Sequence, residues 1–194
     1  MNLLPRFLLP CALAVGAAAQ NTNENAPAAT NRLAFDRDTS IEVSYASFTT
    51  AGGNWLRQLY AEGEAGKQAR KFYNERYITA FLKGALKVSK DIELGGNPLA
   101  AGTYKLTFRI DEDLVWHLVV RNDKDQEVCA IAMNTERDDK RVASRLWIAP
   151  IAAPEGKQGT LHIHFGPLTA DVAFTVGTKQ PAKAPAKTGA GGKG

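Results

Sequence analysis

The central part of the chain, residues 92–133, alternates between hydrophobic and polar positions, and short runs of turn residues interrupt the alternation. In residues 103–110 every second side chain is apolar: Tyr104, Leu106, Phe108 and Ile110. Successive side chains of a strand point to opposite faces, so this run predicts a strand with one buried face. A strand containing Trp116 and a third strand follow after polar turns, which predicts an antiparallel meander whose Tyr104 and Trp116 are buried between sheets.

Similar alternating runs flank this meander, and between the first two of them the period changes. The flanking runs cover residues 41–45, 78–82, 85–90, 142–148, 160–165 and 170–176. In residues 55–77, apolar side chains recur at steps of three and four, which predicts an amphipathic helix that Gly63 and Gly66 break. We therefore expect a mainly β protein, an antiparallel β-sandwich with one broken amphipathic helix inserted near its N-terminal side. A β-barrel is the alternative.

The two ends of the chain differ from this body. Residues 1–19 contain one basic residue, a short apolar run and small residues before Gln20, which is typical of a secretory signal peptide. The apolar run is too short to span a bilayer, and Pro10 before Cys11 argues against lipidation. We expect a flexible spacer at 20–38, a single domain at 39–177 and a disordered Lys/Pro/Ala/Gly tail at 178–194. The predicted location is secreted or periplasmic, without a transmembrane segment after signal cleavage.

The charge balance of the body excludes one class of partner. The chain has 24 Lys and Arg against 20 Asp and Glu, but Arg6 and four lysines lie in the signal peptide and tail. The remaining 19 basic and 20 acidic residues nearly cancel, whereas a nucleic-acid-binding domain carries a basic excess on its folded surface. We therefore expect no nucleic-acid partner. The basic tail either contacts anionic envelope polymers or is simply solvated.

The motifs of common enzymes are missing from the sequence. It contains no nucleophile elbow, no P-loop, no His-Glu-x-x-His and no Cys-x-x-Cys. Cys129 is the only cysteine after signal removal and lies among apolar residues, which indicates a packed thiol. We therefore expect no catalysis, no metal and no cofactor.

Two groups of residues remain as candidate binding groups. His162 and His164 lie two residues apart, on one face of a predicted strand, and two imidazoles can begin a zinc or copper site if a third ligand such as His117 joins them. The simpler alternative is a pair of polar residues on a solvated face. Trp147 and Arg145 are predicted to point outward, where a tryptophan can stack on a sugar. The alternative interpretation is that the strand carrying Trp147 and Arg145 is buried on both faces, under the helix.

The hairpin region also carries a resemblance to a known family. Asp-Ile-Glu-Leu-Gly-Gly at 91–96 and Pro-Leu-Ala-Ala-Gly-Thr-Tyr-Lys-Leu at 98–106 resemble the signature of the secreted bacterial domain of unknown function numbered 2911, and Trp116 and the Thr-x-x-Ile-x-Phe strand at 160–165 fit as well. The resemblance covers about residues 41–176 and implies a secreted β-domain without implying an activity. The family's Trp-Arg-Thr-Gly-Ala-Asn segment is replaced here by Glu-Arg-Tyr-Ile-Thr-Ala-Phe at 75–81.

These observations favour a non-catalytic extracytoplasmic β-domain, a binding or structural module of the cell envelope. Its expected ligand is an envelope polymer or carbohydrate, and its candidate ligand-binding residues are Trp147, Arg145, His162 and His164. The alternative is a metal-dependent or hydrolytic enzyme that uses His162 and His164.

Overall fold

A computed structural model of the chain describes residues 25–50, 54–78 and 82–177. Its strands form two antiparallel sheets that pack against each other as a sandwich, as predicted, and neither sheet closes into a barrel. The first sheet has the strand order β1-β2-β3-β6-β7-β8. Its strands are β1 Ala28–Ala34, β2 Ser40–Ala46, β3 Gly84–Val88, β6 Gly102–Ile110, β7 Trp116–Arg121 and β8 Glu127–Met133.

The second sheet has the strand order β10-β11-β12-β4-β5. Its strands are β4 Ile92–Leu94, β5 Asn97–Leu99, β10 Trp147–Ala152, β11 Gln158–Phe165 and β12 Leu168–Val176, and β9 Thr135–Arg137 pairs with the start of β12. The chain crosses between the sheets after β3, after β5 and after β8. The apolar residues of the alternating runs meet between the sheets and form one core, as alternation with period two requires.

Two short helices and a π-helical turn occupy the segment where one broken helix is predicted, and they pack on the sandwich through Trp55, next to Phe165, and Tyr73, next to Trp116. They are α1 Trp55–Leu59, α2 Gly63–Phe72 and the π-helical turn Tyr73–Tyr77. Strand β3 pairs with β6 only as far as Leu106, so Ile110 lies beyond the partner strand. The side-chain amide of Asn74 replaces that partner: it accepts from the Ile110 amide at 3.0 Å and donates to the Ile110 carbonyl at 2.8 Å.

The two aromatic residues predicted to be buried in the central hairpin have different environments. Trp116 is 2% exposed, and its indole N–H donates to the Tyr60 hydroxyl at 2.8 Å, so the prediction is confirmed for this residue. Tyr104 is only half-buried, and its hydroxyl donates to the Ala100 carbonyl at 2.8 Å. The prediction was wrong for Tyr104 because this side chain reaches the border of the sheet, where its polar end meets backbone and solvent.

The edge strand β10 is shielded by side chains from the first sheet. The Ile148 amide donates to the Tyr45 hydroxyl at 2.9 Å, and the Ile148 carbonyl accepts from the Asn31 side chain at 2.6 Å. Pro150, two residues further along the same edge, has no N–H to leave unpaired. An unshielded edge would offer these groups to another chain, so this corner both joins the sheets and protects β10.

The turn between β4 and β5 packs closely against β8. Gly95 and Gly96 both have positive φ angles, of 53° and 79°. A Cβ added to Gly95 would lie 2.5 Å from Cγ2 of Ile131, whereas a Cβ on Gly96 would meet nothing within 4 Å. The first glycine is therefore required by both backbone conformation and packing, and the second by conformation alone.

The structure corrects the predicted spacer at 20–38. Residues 28–34 form β1, which pairs with β2 over its whole length from Ala28↔Ala46 to Ala34↔Ser40. The sequence signal was weak because β1 is an edge strand with a single large apolar residue, Leu33. Residues 20–24, like the predicted signal peptide 1–19 and the predicted tail 178–194, lie outside the described residues.

Two other predicted strands also differ from the structure, one in type and one in extent. Ile78 and Leu82 are helical, not extended, and residues 79–81 between them lie outside the described residues. The strand predicted at 142–148 runs instead from Trp147 to Ala152. Pro150 lies inside this strand because an edge strand tolerates proline where the missing N–H would face outward.

No helix among the described residues is long and apolar enough to cross a membrane.

Candidate functional site

Trp147 and the two neighbouring histidines lie together on the outer face of the second sheet. Trp147 on β10 stands opposite His164 on β11 in the strand register, and Ala149 stands opposite His162. Trp147 is 43% exposed, and its ring lies 5.5 Å from the His162 ring in an edge-to-face arrangement. Alternation places Ile148 and Ile163 in the core and turns Trp147 and the imidazoles outward.

A carboxylate that the sequence analysis did not select completes this group. Asp171 on β12 stands opposite His162 in the register, and its Oδ1 lies 2.7 Å from Nδ1 of His162. We call the outward side chains of Trp147, Ile151, His162, His164 and Asp171 the Trp147 face. The alternation of the final strand turns Asp171 outward, but only the strand pairing shows that it meets His162.

The hydrogen bonds of the two imidazoles identify one donor nitrogen on each ring. An ionised carboxylate only accepts, so Nδ1–H of His162 donates to Asp171, and in the neutral form of the ring Nε2 is an acceptor. Nε2 of His164 lies 3.0 Å from the Arg141 carbonyl, which also only accepts, so Nδ1 of His164 is the acceptor. Together with the second carboxylate oxygen of Asp171, these nitrogens make a face that presents hydrogen-bond acceptors.

Arg145 is exposed, as predicted, but its guanidinium contacts the first sheet's neighbouring segment. It lies before β10 and donates from Nη1 to the Ser47 carbonyl at 2.8 Å. Its backbone forms an isolated antiparallel bridge with Thr49. Arg145 therefore ties the start of β10 to the segment after β2, and part of its donor capacity is used in that contact.

His117 lies away from the other two histidines. It is on β7 of the first sheet, where Trp116 and Leu118 face the core and His117 faces the opposite side. Its Nε2 lies 2.9 Å from Oδ2 of Asp111, and this hydrogen bond lowers the pKa of Asp111. Within the described ranges, no three His, Cys, Asp or Glu side chains are placed to hold a metal ion.

Cys129 is a half-buried thiol on the edge strand β8. Burial raises its pKa, with the Glu127 charge as a smaller cause. A raised pKa keeps the thiol protonated at neutral pH, whereas a nucleophilic cysteine needs a lowered one.

Two clefts beside the first sheet, one of them against α2, offer volume without a distinct chemistry. They measure about 660 and about 420 Å³ and share a wall formed by Asn74 and Glu75. Two of their basic side chains are paired with acids: Lys105 lies 3.2 Å from Asp125, and Arg109 lies 3.0 Å from Glu127. The Trp147 face therefore remains the best candidate, because its polar groups have unused hydrogen-bonding capacity beside an exposed aromatic ring.

Comparison with protein-family models found none that matches the chain, and comparisons with curated proteins and with solved structures found no match either.

Proposed function

We propose that the protein is a non-catalytic binding module that acts outside the cytoplasm and holds a polymer of the cell envelope on the Trp147 face. The observation that carries this proposal is the exposed Trp147 ring beside His162 on the outer face of the second sheet. Large aromatic side chains are usually buried, and an exposed one that keeps polar neighbours is well suited to stacking on a ligand.

The rigid support of this ring also favours binding. The Trp147 backbone pairs with β11, and the next residue, Ile148, is held by Tyr45 and Asn31 from the first sheet. A ring fixed on a sheet loses little conformational freedom when a ligand stacks on it, so more of the contact energy remains as affinity. The extracytoplasmic location rests on the signal-peptide pattern of residues 1–19.

The test is a binding assay with wild type and a Trp147→Ala variant on the envelope fraction of the source cells. We expect Trp147→Ala to weaken binding about tenfold, the scale of one lost aromatic contact. Phe72→Ala is the matched control, because Phe72 is an exposed aromatic (57%) on α2, away from the second sheet. Equal binding by wild type and Trp147→Ala would contradict the proposal.

The metal-dependent or hydrolytic alternative is supported by one observation. Metal-binding histidines usually donate their second N–H to a carboxylate or a backbone carbonyl, as His162 does to Asp171 and His164 to Arg141. Two ligands alone do not make a stable zinc site. Titration of zinc and copper by calorimetry into wild type and a His162→Ala, His164→Ala double variant decides between the two functions. A stoichiometric site with sub-micromolar Kd (about −8 kcal/mol or tighter) that is lost in the double variant would favour the enzyme.

A further inference from the structure

We infer that the ligand of the Trp147 face is an uncharged glycan, whose hydroxyl groups donate hydrogen bonds to Asp171, His162 and His164. This inference rests on the proposed binding function and adds the chemistry of the ligand. It follows from the direction of the hydrogen bonds on the face, which determines what a ligand has to supply.

The acceptors of the face require a ligand that is rich in donors. Nδ1–H of His162 is used by Asp171, and Nε2–H of His164 is used by the Arg141 carbonyl. In its neutral form each ring keeps one lone pair, and Asp171 contributes its second oxygen. A group that only accepts, such as a carboxylate, sulfate or phosphate, finds no complement in these three atoms, whereas a sugar hydroxyl donates to any of them.

The charge of Asp171 also favours an uncharged ligand over an anionic one. The Asp171 side chain is 57% exposed and carries the negative charge of the face, so it repels an acidic polymer. Arg145 and Arg141 have partners outside the face: Arg145 donates to the Ser47 carbonyl, and Arg141 lies 3.8 Å from Asp138. The Asp171 carboxylate therefore disfavours an anionic ligand relative to an uncharged one.

The dimensions of the face suit adjacent sugar units. Asp171, His162 and Ala149 stand opposite one another on three neighbouring strands, and Trp147 lies two residues from Ala149 on the same side of the sheet. Neighbouring strands are about 4.8 Å apart, so the row from β10 to β12 spans about 10 Å. One pyranose ring stacked on Trp147 places the hydroxyls of the next unit over His162 and Asp171.

The experiment measures binding of four hexasaccharides by calorimetry: those of glucose, mannose, N-acetylglucosamine and galacturonic acid. We expect at least one uncharged hexamer to bind, and the galacturonic acid hexamer to bind at least about tenfold more weakly, the ratio that one unfavourable charge contact produces. Asp171→Asn should weaken binding of the uncharged hexamer about tenfold and reduce the discrimination against galacturonic acid, because the amide replaces an acceptor and a charge with a donor.

The matched control is Glu93→Gln, which removes another carboxylate from the same face of the sheet. Glu93 on β4 pairs with Thr175, four residues along β12 from Asp171. This variant should bind all four hexamers as wild type does. Melting temperatures of both variants check that each one is folded.

Three results would overturn the inference. The first is binding of the galacturonic acid hexamer as tightly as any uncharged one, and the second is an Asp171→Asn variant with wild-type affinities. The third is binding of the envelope fraction that depends on Trp147 while no uncharged hexamer binds; it would reject the glycan and leave the proposed binding function standing. Failure of the proposed function itself would give a different result: binding to the envelope fraction that the Trp147→Ala substitution does not change.

Discussion

Single side chains join the two sheets of this sandwich, and Tyr45 is the clearest example. Its ring is buried in the core, while its hydroxyl reaches the edge of the second sheet and accepts from the Ile148 amide and from Asn31. A backbone amide that is buried without a partner destabilises a protein. By accepting from the Ile148 amide, the Tyr45 hydroxyl therefore contributes more to stability than burial of its own small surface does.

We expect Tyr45→Phe to lower the free energy of unfolding by about 1–3 kcal/mol, because it leaves the Ile148 amide without its acceptor. Tyr104→Phe is the matched control: its hydroxyl donates to the Ala100 carbonyl in an exposed position, where water can replace it. Urea unfolding of both variants measures the difference. Equal losses in the two variants would show that the Tyr45 hydroxyl is dispensable.

The sequence could predict which way a side chain points, but not which side chains meet. Alternation with period two turned Trp147 outward and Trp116 inward, and both orientations are found in the structure. The pairing of His162 with Asp171 depends on the register between β11 and β12. Register is set by turns and by the packed core as a whole, which no short stretch of sequence contains.

At the scale of elements, one charged pair links the connection between β1 and β2 to the connection between β10 and β11. Lys157 donates to the Asp36 carboxylate and lies 3.5 Å from the Thr39 hydroxyl. The hydrogen bond from Lys157 is the largest cause that lowers the pKa of Asp36 well below its ordinary value of 3.8. Both side chains are about half exposed, so solvent screens the pair and its contribution to stability is modest.

The sign of the pH dependence follows from this lowered pKa. A carboxyl whose pKa is lowered by folding stabilises the protein at any pH above the pKa that the group has in the unfolded chain. This stabilisation is lost as the pH falls through the lowered pKa of the folded state. We expect Asp36→Asn to be less stable than wild type at neutral pH and the two melting curves to converge in strong acid. Asp38→Asn, two residues away and outside the contact with Lys157, is the control. A difference that stays constant with pH would mean that the carboxylate charge is not the cause.

Elements in the interior were more predictable than elements at the edges. β6 was predicted almost to its ends because one of its faces is buried and the other is polar. β1 and β10 are edge strands: the first has little apolar surface, and the second contains Pro150, which a central strand would exclude. The helical conformation of Ile78 was missed because its apolar neighbourhood fits a strand as well as a buried helix end.

For the whole molecule, the topology makes each end of the described chain part of the structure. β1 borders the first sheet, and β12 lies in the middle of the second, between β11 and β4. Because the chain crosses between the sheets, neither sheet is complete until distant segments have paired.

Because of this topology, we expect two N-terminal truncations to differ in their melting temperatures. A chain that begins at Gln20 keeps every described contact, whereas one that begins at Phe35 loses β1, its pairing with β2 and the bond from Asn31 to Ile148. We expect the shorter chain to melt several degrees lower, since a loss of about 1 kcal/mol shifts the melting temperature of a domain this size by roughly 2–4 °C or more. Calorimetry on both chains tests this, and equal melting temperatures would show that β1 contributes nothing.

The Gly95-Gly96 turn bears on how sequences of this fold can diverge. Position 95 excludes any side chain, because a Cβ there meets Ile131 and the backbone has a positive φ. Position 96 has open space around it and needs only the conformation, which Asn and Asp also adopt. In an alignment of homologues we therefore expect glycine at 95 to be nearly invariant and 96 to vary between Gly, Asn and Asp. The glycines of this motif are needed because the two sheets pack closely at this turn. Two proteins that share the motif therefore share an architecture, but they need not bind the same ligand.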